Sequence, residues 1–187
     1  MTSPVVIRDG VRLVLVTGAP GSGKTELTRK LACCLPEDWR VIHLDDFFVA
    51  WACIYGRPGD GNVWPAVDRG ADLPGLTAKR YLDEGASVVI EGIIRGDNWA
   101  KRLCAAAGLQ LPSPAVRVVD LNCSRAVAIA RMTRRRIRAP GDTFDPGRHF
   151  DYLRPASLVA CARCIDTDSL DADAVLTAFV EAVNADP

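Results

Sequence analysis

The sequence predicts an α/β fold in three layers, a five-stranded parallel sheet with helices on both faces. Three observations predict it. Residues Gly18 to Thr25 read Gly-Ala-Pro-Gly-Ser-Gly-Lys-Thr, a complete G-x-x-x-x-G-K-[ST] phosphate-binding loop, set between an apolar run and a helix-forming one. Apolar runs of strand length alternate with helical patterns along the chain, as a parallel sheet with crossover helices requires. The 187 residues suit one domain, 1–187, and leave room for a three-layer core.

Each element has its local reason. Val11-Arg12-Leu13-Val14-Leu15-Val16-Thr17 predicts the first strand, and the loop opens a helix near 24–35. Further strands are predicted near 40–45, 87–91, 115–121 and 163–166. Helices are predicted near 76–84, 98–107, 123–138, 149–161 and 171–184. Asp97 and Asp171 are expected N-caps. Gly85 and Gly108 are expected helix stops. Two segments rich in Gly, Pro and Asp, Tyr55–Gly75 and Ala139–Gly147, fit neither pattern and read as binding loops or lids at the carboxyl edge of the sheet.

Composition narrows the function class. Lys plus Arg and Asp plus Glu both number 23, so there is no basic field to favour bulk nucleic-acid binding. No apolar run approaches the ~20 residues of a membrane span. The start, Met1-Thr2-Ser3-Pro4, has no basic stretch followed by an apolar one, so no secretory signal is expected. With that start, seven cysteines, an odd number, predict reduced thiols and a cytoplasmic protein. Cys161-x-x-Cys164 is the one metal-like spacing. It has no second pair, so the cysteines read as buried small hydrophobes.

The phosphate loop sets the chemistry. Its glycines let successive backbone N–H groups turn toward one anion, and the helix start adds its positive dipole end. Gly18, Ala19, Pro20, Gly21, Ser22, Gly23, Lys24, Thr25 and the following Glu26 are therefore candidate nucleotide-binding residues. Lys24 would reach the β- and γ-phosphates, and the Thr25 hydroxyl would bind Mg²⁺.

The second strand ends in Asp45-Asp46-Phe47-Phe48. A carboxylate here can accept the proton of an attacking hydroxyl or hold Mg²⁺. Asp45 is the candidate base and metal ligand, with Asp46 beside it toward the acceptor; a helix cap bearing two solvated acids is the alternative. The third strand ends in Glu91, a further candidate for the metal, and Arg95 follows at the same sheet edge. Arg95, Asp46, Trp64 and Asp68 are the candidate acceptor contacts. Arg131 to Arg138 holds five arginines in eight residues. Phosphoryl transfer spreads negative charge that such side chains stabilise. Arg134 is assigned to the transferred group, Arg131 and Arg135 to the nucleotide, and the others to solvent.

The phosphate loop, Leu44-Asp45-Asp46-Phe47-Phe48, Ile90-Glu91-Gly92-Ile93 and Arg134-Arg135-Arg136 come in the order seen in small P-loop kinases. From about 11 to 155 the chain resembles the uridine kinase and nicotinamide riboside kinase group. The resemblance implies a P-loop kinase fold with an acceptor-binding segment at about 51–75 and an arginine-rich lid at about 131–149. It implies ATP and Mg as cofactors, Asp45 as catalytic base, Glu91 as metal-site acid, and the Cys164–Thr167 strand end near the adenine. Residues 51–75 and 93–99 do not match the group's ribose-contacting segment, so the acceptor stays open between a nucleoside-like and another hydroxylated metabolite.

The expected function is ATP- and Mg-dependent transfer of the γ-phosphoryl group to a hydroxyl of a small molecule. Small-molecule acceptor, no nucleic acid, no membrane, and a homodimer left open are the expected partners. A nucleoside monophosphate kinase is the alternative enzyme. It would draw on Arg57, Arg69, Arg80 and Arg95, but Asp45 and Asp46 would repel its anionic acceptor. A nucleotide-dependent switch or regulatory module is the alternative of another class. Asp72-Leu73-Pro74-Gly75 has the D-x-x-G spacing of some switches, though no apolar strand precedes it.

Overall fold

In the computed structural model, residues 5–47, 72–94, 96–135, 145–153 and 159–186 are described, the last two of 145–153 by their backbone only. Five strands form one sheet: β1 (Leu13–Gly18), β2 (Trp39–His43), β3 (Ser87–Glu91), β4 (Val116–Asn122) and β5 (Arg163–Asp166). The helices are α1 (Lys24–Leu31), α2 (Asp72–Asp83), α3 (Asp97–Ala106), α4 (Arg125–Arg135), α5 (Pro146–Leu153) and α6 (Ala172–Asn184). The strand order is β2-β3-β1-β4-β5, and every pairing is parallel. The predicted three-layer fold is the one observed.

Strand alternation divides the core in two. Leu13, Leu15, Val88, Ile90, Val116 and Val118 face α2 and α3, where they pack on Ala78, Trp99, Ala100 and Leu103. Val14, Val16, Val89, Val119 and Leu121 face the other way and pack on Leu27 and Leu31 of α1 and Val175, Phe179 and Val183 of α6. β1 is buried along its whole length, because a central parallel strand is covered on both faces. Removing one such side chain from water stabilises the fold by about 1.5–3 kcal/mol.

Several local expectations hold. Asp171 caps α6, its Oδ1 accepting from Asp173 N at 3.0 Å and Ala174 N at 2.8 Å. Gly85 and Gly108 take the positive φ that closes a helix. Others are corrected. Asp97 is the first residue of α3, not its cap: Gly96 takes that place, and Asp97 Oδ1 accepts instead from Ala160 N at 2.8 Å. α2 begins at Asp72, so the last residues of the segment read as irregular are helical. Proline fits a first helical turn, whose N–H groups have no helical acceptor. A Cβ on Gly75 would lie 2.6 Å from Ala106 Cβ and 2.6 Å from Leu103 O, so that glycine is where α2 presses on α3. Cys34, Cys104 and Cys123 are buried, as small hydrophobes should be, but Cys33, Cys161 and Cys164 are exposed. Burial pushes the Cys104 thiol up to about 12, far from reactive.

Candidate functional site

The strand order puts the end of β1 between β3 and β4, where an open parallel sheet leaves its crevice. The phosphate loop fills that position. Its turn depends on glycine at Gly21, which has φ 81° and would drive a Cβ to 2.7 Å from the Ala128 carbonyl oxygen of α4. The loop thus leans on the root of the arginine helix. Ser22 Oγ is sealed beneath the loop and, among the described residues, is the one such side-chain atom without a partner.

Lys24 opens α1 and is only 8% exposed. Its ammonium donates to the carbonyls of Gly18 at 2.8 Å and Ala19 at 3.0 Å, which holds it inside the loop. Burial lowers its pKa, an effect opposed by the nearby Glu91, Asp45, Cys123 and Asp120. Glu91, at the end of β3, is tied to the start of α1 through Thr25, and both Glu91 and Asp45 oppose the lowering.

Glu91 is 6% exposed and held from two sides. Thr25 Oγ1 lies 3.4 Å from its Oε1, and His43 Nδ1 lies 2.8 Å from its Oε2. The imidazole N–H donates and the carboxylate accepts. Sequence reasoning missed His43. Its signal lay in the register, which pairs His43 with Glu91 across β2 and β3. Asp45 and Asp46 lie just past β2, in a helical turn that begins at Leu44, and are exposed, as the alternative reading of a helix start with two solvated acids also requires. A hydroxyl and a carboxylate side by side at a helix start are the hard oxygen donors that suit Mg²⁺, so Thr25 and Glu91 fit a magnesium site. Among the described residues no group of three His, Cys, Asp or Glu side chains forms a closed metal cluster.

The loop after β3 is tied down over β1. Gly92 N donates to Val16 O at 3.0 Å, and Ile94 N to Thr17 Oγ1 at 3.0 Å. Arg95 itself, with Trp64, Asp68 and the lid centre, lies outside the described residues.

The arginines divide. Arg134 and Arg135 are exposed on the last turn of α4. Arg131 is half-buried and donates to Thr167 Oγ1 at 3.0 Å, to Thr167 O and, at 3.4 Å, to Gly21 O. Thr167 Oγ1 lies within hydrogen-bond reach of Ser22 O and Asn122 O, both at 3.1 Å. Arg131 and Thr167 thus join α4, the phosphate loop and the loop after β5. A cavity of about 150 Å³ lies beside this junction, lined by Ser22, Gly23, Glu26, Arg131, Arg135 and Thr167, among others. Five of those six were predicted as nucleotide contacts. Thr167 ends the strand segment expected near the adenine.

The D-x-x-G stretch that suggested a switch lies in the first turn of α2, packed on α3. No helix among the described residues is long and apolar enough to cross a membrane.

Comparison with solved structures gives the same fold at low identity. A sugar kinase from Janibacter sp. HTCC2649 is 18% identical over 92% of this chain and 94% of that one, with TM-score 0.62. A gluconokinase from Sinorhizobium meliloti 1021 is 16% identical over 94% and 93%, with TM-score 0.61. The tunicamycin resistance protein of Deinococcus radiodurans is 19% identical over 92% and 94%, with TM-score 0.54. No curated protein is a significant match to the chain. A family model described as chloramphenicol phosphotransferase-like protein matches residues 11–152, which run from β1 through α4 and into α5. The chain therefore belongs to the chloramphenicol phosphotransferase-like family, and it is a P-loop phosphotransferase acting on small-molecule hydroxyl groups.

Proposed function

We propose that the chain uses ATP and Mg²⁺ and transfers the γ-phosphoryl group to a hydroxyl of a small metabolite, with Asp45 as base. The observation that carries this reading is buried Glu91 beside the Thr25 hydroxyl, next to a Lys24 held inside the phosphate loop; it supports a metal-site acid at the loop, with Asp45 just past the neighbouring strand β2 as the proton acceptor. The loop amides and Lys24 bind the β- and γ-phosphates. Thr25 and Glu91 hold the magnesium ion, which when bound offsets charge on the phosphate oxygens. His43 donates to Oε2 of Glu91, so Oε1 keeps its direction toward Thr25.

The cavity beside Glu26, Arg131 and Thr167 takes the nucleoside end of ATP. Asp45 accepts the acceptor's hydroxyl proton and thereby aims its oxygen at the γ-phosphorus. Exposed Arg134 stands on the last turn of α4, where it complements charge on the transferred group, and Arg135 beside it serves the nucleotide. Asp46, Trp64, Asp68 and Arg95 contact the acceptor. The family match favours a non-nucleoside hydroxylated metabolite over a nucleoside, as does the lack of a match at 51–75 and 93–99 to the ribose-contacting segment.

An acceptor screen with labelled ATP and Mg²⁺ over sugars, polyols, aminoalcohols, nucleosides and nucleoside monophosphates tests the reading. Label transfer to a hydroxyl is the expected result. Transfer only to a monophosphate, or ADP release that no acceptor stimulates, would sink it.

A further inference from the structure

Asp120 has no part in the chemistry above, yet its surroundings call for one. It stands on β4 in the apolar run Val116-Arg117-Val118-Val119-Asp120-Leu121. The residue is 3% exposed. Among the described residues no hydrogen bond or ion pair reaches its carboxylate. Nor is that carboxylate sealed in, since the one described side-chain atom both sealed and unpaired is Ser22 Oγ. Its oxygens therefore keep an opening.

Register and alternation say where that opening lies. Asp120 shares a face of the sheet with Val116 and Val118, the face covered by α2 and α3. It pairs with Thr17 on β1 and with Cys164 on β5. Thr17 is the residue that holds Ile94, so the loop leading to Arg95 borders the same spot. Cys164 on the other side is exposed, and the charge of Asp120 is felt at its thiol. Asp120 and Lys24 also feel each other. The carboxylate thus opens at the carboxyl edge, next to the phosphate loop and on the side of the loop after β3.

Lys24 does not serve as its hydrogen-bond partner: the ammonium donates to the Gly18 and Ala19 carbonyls, and among the described residues no bond joins it to Asp120. Three carboxylates, Glu91, Asp45 and Asp120, bear on the charge of this one lysine. Glu91 is engaged by Thr25 and His43, and Asp45 has the acceptor hydroxyl. Asp120 is left without work. A buried carboxylate is costly unless a donor, best a cation, meets it. Burial accordingly raises its pKa, with Lys24 opposing.

We propose that Asp120 is an acceptor-binding residue that selects hydroxylated small molecules bearing a protonated amine. This rests on the kinase reading above and adds the substrate class to it. The ammonium donates to the carboxylate while a hydroxyl of the same molecule lies at Asp45; no bond to nitrogen is made or broken.

The test pairs amino sugars and aminoalcohols with their N-acetyl derivatives. Binding of a non-hydrolysable ATP analogue with Mg²⁺ is measured first, then binding of each probe by calorimetry with the analogue present, then phosphoryl transfer. The wild-type protein should favour the amine of at least one pair by about tenfold or more. Asp120→Asn should erase that preference by raising KM for the amine, with KM for ATP little changed. Equal treatment of every pair, a preference for the N-acetyl form, or no amine binding while the analogue binds would each overturn the proposal and leave the kinase reading standing. So would an Asp120→Asn protein whose KM rises as much for ATP as for the acceptor, since the carboxylate would then be serving Lys24. Failure of the analogue to bind the wild-type protein overturns both. Should Asp120→Asn fail to fold, the wild-type preference within pairs still decides the matter.

Discussion

Three side chains at the phosphate loop carry separable tasks, and substitutions should separate them. Asp45→Asn removes the proton acceptor but no phosphate contact. Turnover should fall by about 10²–10⁴-fold, while a fluorescent ATP analogue binds as before. Lys24→Ala removes the cation at the phosphates, and the same titration should show weakened nucleotide binding. Asp120 offers a test through stability. Its pKa is raised in the folded protein, so the folded state keeps a proton that the unfolded chain releases. Stability from this group is thus present below the ordinary carboxylate pKa and is lost as pH rises through the raised one. Asp120→Asn, which cannot ionise, should gain in melting temperature relative to wild type as the pH is raised above the ordinary carboxylate range. A constant difference over that rise would show that the carboxyl titrates normally.

At the scale of elements, the contact of α2 with α3 is a sharp constraint. Gly75→Val would place methyl groups where Ala106 and Leu103 already stand, and should cost about 1–3 kcal/mol by urea unfolding. The same spot explains an error of sequence reading. Pro74 and Gly75 signal a loop by composition, but the glycine answers to a neighbouring helix and the proline to a first turn. Strands were readable because burial on both faces leaves near-continuous apolar runs, as Ser87–Glu91 shows. The loop, Asp45 and Glu91 were readable because each sits at the carboxyl end of such a run. His43, Thr167 and Asp120 were not singled out, because their meaning comes from register and from partners far along the chain. Thr167 also yields a prediction: Thr167→Val deletes the hydroxyl linking Arg131 to the phosphate loop. Affinity for the ATP analogue should fall by about 5- to 10-fold, with the midpoint of unfolding lowered as well.

For the whole molecule, the fold is one sheet whose crevice collects residues from β1, β2, β3 and the helices that follow them. A ligand gripping so many elements couples to global unfolding. The non-hydrolysable ATP analogue with Mg²⁺ at about 100 times its Kd should stabilise the protein by about 2.7 kcal/mol, seen as a rise in melting temperature. Chelation of the metal should reverse much of that rise if Thr25 and Glu91 hold it. Unchanged melting on chelation would show that the nucleotide binds without the metal.

The sheet ends in strands of five residues at β2 and four at β5, and only Ile42 and Ile165 in them are buried. So few free backbone groups give another chain little to pair with, which guards against edge-to-edge aggregation. It also means that two copies joined by sheet extension would share only a handful of hydrogen bonds. If the protein pairs with itself, its helices are the surface to do so, and the crevice at the carboxyl edge would stay open to solvent in each copy.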